Sequence, residues 1–261
     1  MTACRLMWMR TQTKETIVLE NEMVFAKVQK NIDDLANQNV DWAKAVTHEQ
    51  IQAYIAQGKP PEAVFMPPRE WLFEEMKGKE VLCLAGAGGQ QAPLLAALGA
   101  NVTVFDLSAN MLAKDKLAAQ RERLAIQIVQ GNMCDLSRFS DEAFDMIVNP
   151  PSLMYVPDVL PVFRECYRVL KKQGVLIVCA PNPINFICEF DEKTQNYIAC
   201  NTLPYKSYEH DDQGAWIEYG HTLESYIGGQ ISAGFSLTGF YERKNGEVEA
   251  DFVTRTVKTA V

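Results

Sequence analysis

From residue 79 to residue 181 short apolar runs alternate with stretches of helical spacing, and no other feature of the chain restricts its fold as much. VLCLAG (81–86), VTVFD (102–106), IQIVQGN (126–132), FDMIVNP (144–150) and GVLIVCAP (174–181) read as buried strands. QAPLLAALG (91–99), ANMLAKDKLAAQRER (109–123) and VLPVFRECYRVLK (159–171) space their apolar residues three and four apart, as helices do. Strands and helices in this alternation pack as a parallel sheet with right-handed crossovers and helices on both faces. FSLTGFYE (235–242) and DFVTRTVKT (251–259), joined through the Asn245-Gly246 turn signal after a helix at 222–234, add an antiparallel edge pair. The expected fold is α/β, doubly wound, with a mostly parallel seven-stranded sheet.

Apolar positions at helical spacing over residues 15–57 predict two or three amphipathic helices, and Pro60, Pro61, Pro67 and Pro68 end them. We therefore expect an N-terminal helical layer or cap over 1–78 and a core over 79–261. Residues 186–220 mix Tyr197, Tyr205, Tyr208, Trp216 and Tyr219 with many carboxylates and read as an irregular lid insertion within that core.

The 25 Lys and Arg residues are outnumbered by 33 Asp and Glu, and a net charge of -8 speaks against nucleic acid or an anionic membrane as a partner. Seven cysteines without a C-x-x-C pair imply reduced thiols. The first twenty residues scatter charges where a signal peptide needs an apolar core, and no apolar run is long enough to span a bilayer. The expected location is cytoplasmic. No His, Cys, Asp or Glu cluster has metal-ligand spacing, so no metal is expected.

The first strand of the alternating region runs into Ala85-Gly86-Ala87-Gly88-Gly89-Gln90-Gln91, small residues of the kind a turn needs where a ligand meets backbone. Asp106 ends the second strand twenty residues beyond Gly86, where nucleotide-binding α/β folds place a carboxylate for the ribose hydroxyls. The third glycine of a dinucleotide fingerprint is out of phase, which disfavours a nicotinamide oxidoreductase. A cofactor without a pyrophosphate fits the loop better.

VLCLAGAGG, VTVFDLSANML, IVQGNMCDL, FDMIVNP and FRECYRVLKKQGVLI occur in an order and spacing that resemble the class I S-adenosylmethionine-dependent methyltransferases of type 11. The resemblance covers 79–181 and, more loosely, the C-terminal segment, and it implies a Rossmann-like methyltransferase fold with S-adenosylmethionine as cofactor. Carried over position by position, it implies that the backbone of Ala85, Gly86, Ala87 and Gly88, with Gln90 beside it, lies along the methionine part, and that Asp106 binds the ribose. Leu107 and Met111 would flank the adenine, Asn132 and the Met133 amide would meet its edge, and Asn149 and Pro150 would stand beside the reactive methyl. Cys83 occupies a position at which many relatives carry an acid.

The resemblance implies a methyl transferase acting on a small-molecule acceptor, by O- or N-methylation. Asn149-Pro150-Pro151-Ser152 also resembles the N-P-P signature of enzymes that methylate amine or amide nitrogens on larger substrates, without the aromatic that follows the prolines there. A third reading is a scaffold that binds cofactor without turnover. Tyr155, Trp216 and His221 are expected to contact the acceptor, with His221 as a possible general base because an imidazole titrates near neutrality. Asn149 and Tyr155 complete the catalytic candidates. Oligomeric state is not legible.

Overall fold

The computed structural model describes residues 14–38, 40–211, 214–245 and 248–259, with side chains described from residue 22 onward except at 205–211, 214–216, 245, 248 and 249. The N-terminal layer is α1 (Lys14–Gln38), a 3₁₀ turn at Asp41–Ala43 and α2 (His48–Gln57). Thr47 starts α2 with a reciprocal capping box, its hydroxyl taking the Gln50 amide while the Gln50 side chain returns to the Thr47 N–H. Gly58 stops it at φ 68°, ahead of the prolines.

The alternating region folds as β1 (Glu80–Leu84), α3 (Gln91–Ala97), β2 (Asn101–Asp106), α4 (Ala109–Glu122), β3 (Ile126–Gln130), β4 (Phe144–Asn149), α5 (Leu160–Val169) and β5 (Leu170–Pro181). Along β1, Val81 and Cys83 face a layer made by α2 and α3, while Leu82 and Leu84 face the layer under α5. Burial on both faces is why residues 81–84 and 146–148 are apolar without interruption instead of alternating with polar residues.

Residues 186–220, expected to be irregular, are instead largely paired. A short α6 (Ile184–Ile187) leads into a hairpin of β6 (Cys188–Asp191) and β7 (Asn196–Ala199), and then a second of β8 (Tyr205–Asp211) and β9 (Gly214–Gly220). The helix expected over 222–234 is a π turn at Glu224–Gly228 continued by α7 (Gly229–Ser232). Adjacent glycines weaken helix there, and a Cβ on Gly229 would lie 3.2 Å from the Phe163 ring. β10 (Phe235–Asn245) and β11 (Val248–Lys258) close the sheet, β11 antiparallel to β5; Gly246 of their turn lies outside the described residues.

The sheet order is β10-β11-β5-β4-β1-β2-β3. The chain moves outward from β1 through β2 to β3 and then crosses back to β4 on the other side of β1. Ligands of open α/β sheets bind at such a reversal, beyond the carboxyl ends of the strands.

Candidate active site

A cavity of about 340 Å³ lies at that reversal, a size suited to a small molecule. Its floor is the turn after β1. Ala85 and Ala87 line it in left-handed backbone, at φ 56° and 48°, a conformation that costs an L residue roughly 1–2 kcal/mol. We expect Ala87→Gly to relieve that crowding, offset in part by greater freedom of the unfolded chain, and to raise stability by about 1 kcal/mol. Thermal melts should show a midpoint roughly 2–4 °C higher.

The turn is held from two sides. Asp115 of α4, fully buried, accepts from the Gly89 amide at 2.8 Å, so a carboxylate reaches this loop from α4 while Cys83 fills the strand position with a buried thiol. Burial pushes the Asp115 carboxyl well up, opposed by the Gly89 hydrogen bond. Gln90 donates to the carbonyls of Trp42 at 2.6 Å and Lys44 at 3.1 Å, and Val46 N–H donates to the Gly89 carbonyl at 2.9 Å. The segment that follows α1 is thereby tied to the loop, which brings the Trp42 side chain to the cavity wall.

The cavity's roof comes from α1. Phe25, Val28 and Ile32 recur at one-turn spacing and line it together. Asp33 on the same helix accepts from the Ser108 hydroxyl and from the Asn110 amide, fastening α1 to the N-terminus of α4.

Asp106 stands in the wall at the end of β2, buried, with one carboxylate oxygen accepting from the Ser108 amide at 2.8 Å. Burial pushes its carboxyl up to about 6, and the nearby Asp33 carboxylate adds to the shift while amides of the turn oppose it. Leu107, Met111, Asn132 and Met133 continue the wall on the same side. Gly131 leaves room for the Phe105 ring, which a Cβ there would meet at 2.2 Å. Asn132 Oδ1 accepts from the Cys134 amide at 2.9 Å, an Asx turn that fixes the side chain beside the cavity.

On the opposite side Pro150, Pro151, Ser152, Met154 and Tyr155 line the cavity after β4. Four residues expected at the site stand behind the wall. Gly86 packs toward the sheet, where a Cβ would meet Val104 at 2.9 Å, and Gly88 backs onto the Met111 sulfur at the same distance. Asn149 is buried beneath Pro150, donating to the Leu84 carbonyl at 2.9 Å and to Ser152 Oγ at 2.8 Å, and its Oδ1 has no partner among the described residues.

His221, the fourth, is buried too, with Nε2 donating to the Val156 carbonyl at 2.9 Å and its ring between Tyr219 and Tyr226. Burial lowers its pKa, the carbonyls around it opposing, and the imidazole itself does not line the cavity, although Val156, whose carbonyl it holds, does. The Trp216 side chain lies outside the described ones. Among the described residues, none of 186–220 lines the cavity.

The sequence reading missed Phe25, Val28, Ile32, Trp42, Phe65, Arg243 and Asp251, all in the wall. The N-terminal helices were expected to cap the site, but the sequence did not single out which residues of α1 face the cavity. Arg243 and Asp251 oppose each other across the β10–β11 ladder, which only the strand register reveals.

The chain is 44% identical over 206 residues to YbaJ, an uncharacterized methyltransferase of Bacillus subtilis, a match spanning 73% of this chain and 80% of that protein. It belongs to the methyltransferase family. The family model for the methyltransferase domain matches residues 82–178, from β1 into β5. This methyltransferase is also 26% identical to a ubiquinone biosynthesis O-methyltransferase of Pseudomonas syringae, over 73% of this chain and 84% of that one. Its fold matches the crystal structure of an S-adenosylmethionine dependent methyltransferase from Mesorhizobium loti with TM-score 0.62 and 18% identity, covering 72% of this chain and 94% of that chain. Among the described residues no helix is long and apolar enough to cross a membrane, and no three His, Cys, Asp or Glu side chains are grouped to hold a metal ion.

Proposed function

We propose that this enzyme moves the methyl group of S-adenosylmethionine to a small-molecule acceptor bound in the same cavity. The observation that carries the reading is Asp106, a buried carboxylate in the cavity wall with oxygen lone pairs left to accept from ribose hydroxyls. The rest of the wall fits the cofactor. Leu107 and Met111 offer apolar surface to an adenine, Asn132 and the Met133 amide offer polar atoms for its edge, and the backbone of Ala85 and Ala87 is open to a methionine chain.

The cofactor supplies a methyl on a sulfonium, already activated toward a nucleophile. The protein's share is positioning and exclusion of water. Pro150 and Tyr155 orient the acceptor, and α1 with Trp42 closes over the bound pair, the role the sequence had suggested for the N-terminal helices together with 186–220. His221 acts through Val156, holding the strand exit that carries Tyr155, and takes no proton itself. The 1–78 layer is thus part of the active site, not a separate domain.

Asp106 also gives the reading a pH signature. Its carboxyl titrates near 6, and protonation removes an acceptor from the ribose. Affinity for S-adenosylhomocysteine is therefore full above pH 7 and falls about tenfold per unit below pH 6. The free protein should show the opposite trend from this group. Its folded pKa lies above the ordinary 3.8, so the stability it confers is present in acid and lost as pH rises through 6. Calorimetric titrations and melts between pH 5 and 8 read both slopes.

The N-P-P turn with its orphaned Asn149 Oδ1 favours a second reading, methylation of an amine or amide nitrogen on a larger substrate. One experiment addresses both. Cell extract is incubated with enzyme and methyl-labelled cofactor and sorted by size; label in the small-molecule fraction supports the proposal, and the labelled product identifies oxygen or nitrogen. Label confined to macromolecules favours the second reading. No transfer despite tight cofactor binding leaves a scaffold.

A further inference from the structure

The cavity is apolar at most of its wall, but one end carries a charged pair that the cofactor reading leaves unused. Arg243 of β10 and Asp251 of β11 are directly opposed across their ladder and both line the cavity. Their closest approach, Nη1 to Oδ2, is 3.7 Å, too long for a hydrogen bond. The guanidinium otherwise lies over the Phe65 ring, 5.5 Å from its centroid, and reaches the Cys179 sulfur at 3.7 Å. Among the described residues no oxygen accepts from it at hydrogen-bonding distance. A half-buried guanidinium with a planar fork of donors, braced on an aromatic face and turned to a cavity, is suited to a carboxylate.

We propose that Arg243 receives a carboxylate in this cavity, with Asp251 beside it to orient the fork. Two sources carry that group: the methionine end of the cofactor, or an acceptor that is itself a carboxylic acid. The proposal rests on the cofactor reading above.

The test compares wild type with Arg243→Met by calorimetry. S-adenosylhomocysteine and 5′-methylthioadenosine, which lacks the amino-acid end, are titrated into each. Benzoate, 4-hydroxybenzoate and octanoate, each against its neutral amide, are then titrated into protein saturated with S-adenosylhomocysteine. A loss of roughly tenfold or more for S-adenosylhomocysteine, with methylthioadenosine unchanged, assigns the carboxylate to the cofactor. Unchanged S-adenosylhomocysteine with a carboxylate preference that the variant loses assigns it to the acceptor. Arg243→Lys, which keeps the charge and loses the fork, should fall between and serves if the Met variant does not fold. Wild-type behaviour of the variants toward every ligand, or no preference for acid over amide together with unchanged S-adenosylhomocysteine, overturns the proposal. Failure of wild type to bind either nucleoside instead refutes the cofactor reading, so the two outcomes are distinct.

Discussion

Replacing Asp106 by Ala should weaken S-adenosylhomocysteine binding by about 2–4 kcal/mol, roughly 30- to 700-fold, while leaving the protein folded. The affinity loss follows from removing both acceptors for the ribose hydroxyls. The retained fold follows from the same burial that pushes the carboxyl up to about 6, since a charge held out of water at neutral pH costs stability that Ala does not. The Ser108 amide loses its acceptor, a smaller debit. Calorimetry gives the affinity and thermal melts the stability. An unchanged dissociation constant would remove Asp106 from the site, and a variant that melts far below wild type would mean its carboxylate serves the fold instead.

Asn149→Ala is expected to act in the opposite way, on the fold first. Its side-chain amide joins the end of β4 to the Leu84 carbonyl on β1 and to Ser152 in the turn that carries Pro150 and Pro151. Truncation strands a buried carbonyl and frees the turn, at a cost of about 2–4 kcal/mol, or roughly 5–15 °C in melting temperature. Asn149→Asp keeps the shape but loses the donor and sets a carboxylate against the Leu84 carbonyl, so it should melt no higher than the Ala variant. If Asp restores wild-type melting, the donated hydrogen bonds are not what Asn149 contributes.

The parallel core was legible because burial on both faces leaves strands such as Val81–Leu84 no polar positions, and helices such as α4 show their spacing plainly. The hairpins of 188–220 were not. Their carboxylates and tyrosines follow no clean alternation, as expected where strands such as β7 are exposed on both faces. The cavity wall around Ala85, Ala87, Asp106 and Asn132 was legible in local motifs, since a turn and a strand end fix those residues within a short stretch of chain. The roof and the charged end were hidden for a different reason. Phe25 and Met133 come to one cavity, and Arg243 meets Phe65, only through the packing of distant segments, and the stripe on α1 is indistinguishable in sequence from a helix face turned to an ordinary core. His221 shows the converse error. It was expected to contact the acceptor, and the rings of Tyr219 and Tyr226 instead pack against a buried imidazole.

The most direct test of the account is the distance from the Asp106 carboxylate to the ribose hydroxyls in a crystal structure of the complex with S-adenosylhomocysteine. The account predicts both hydroxyls within about 2.6–3.2 Å of Asp106, beneath Phe25, Val28 and Ile32, with the sulfur toward Pro150 and Tyr155. A ribose out of hydrogen-bonding reach of Asp106, or a ligand bound outside this cavity, would contradict it.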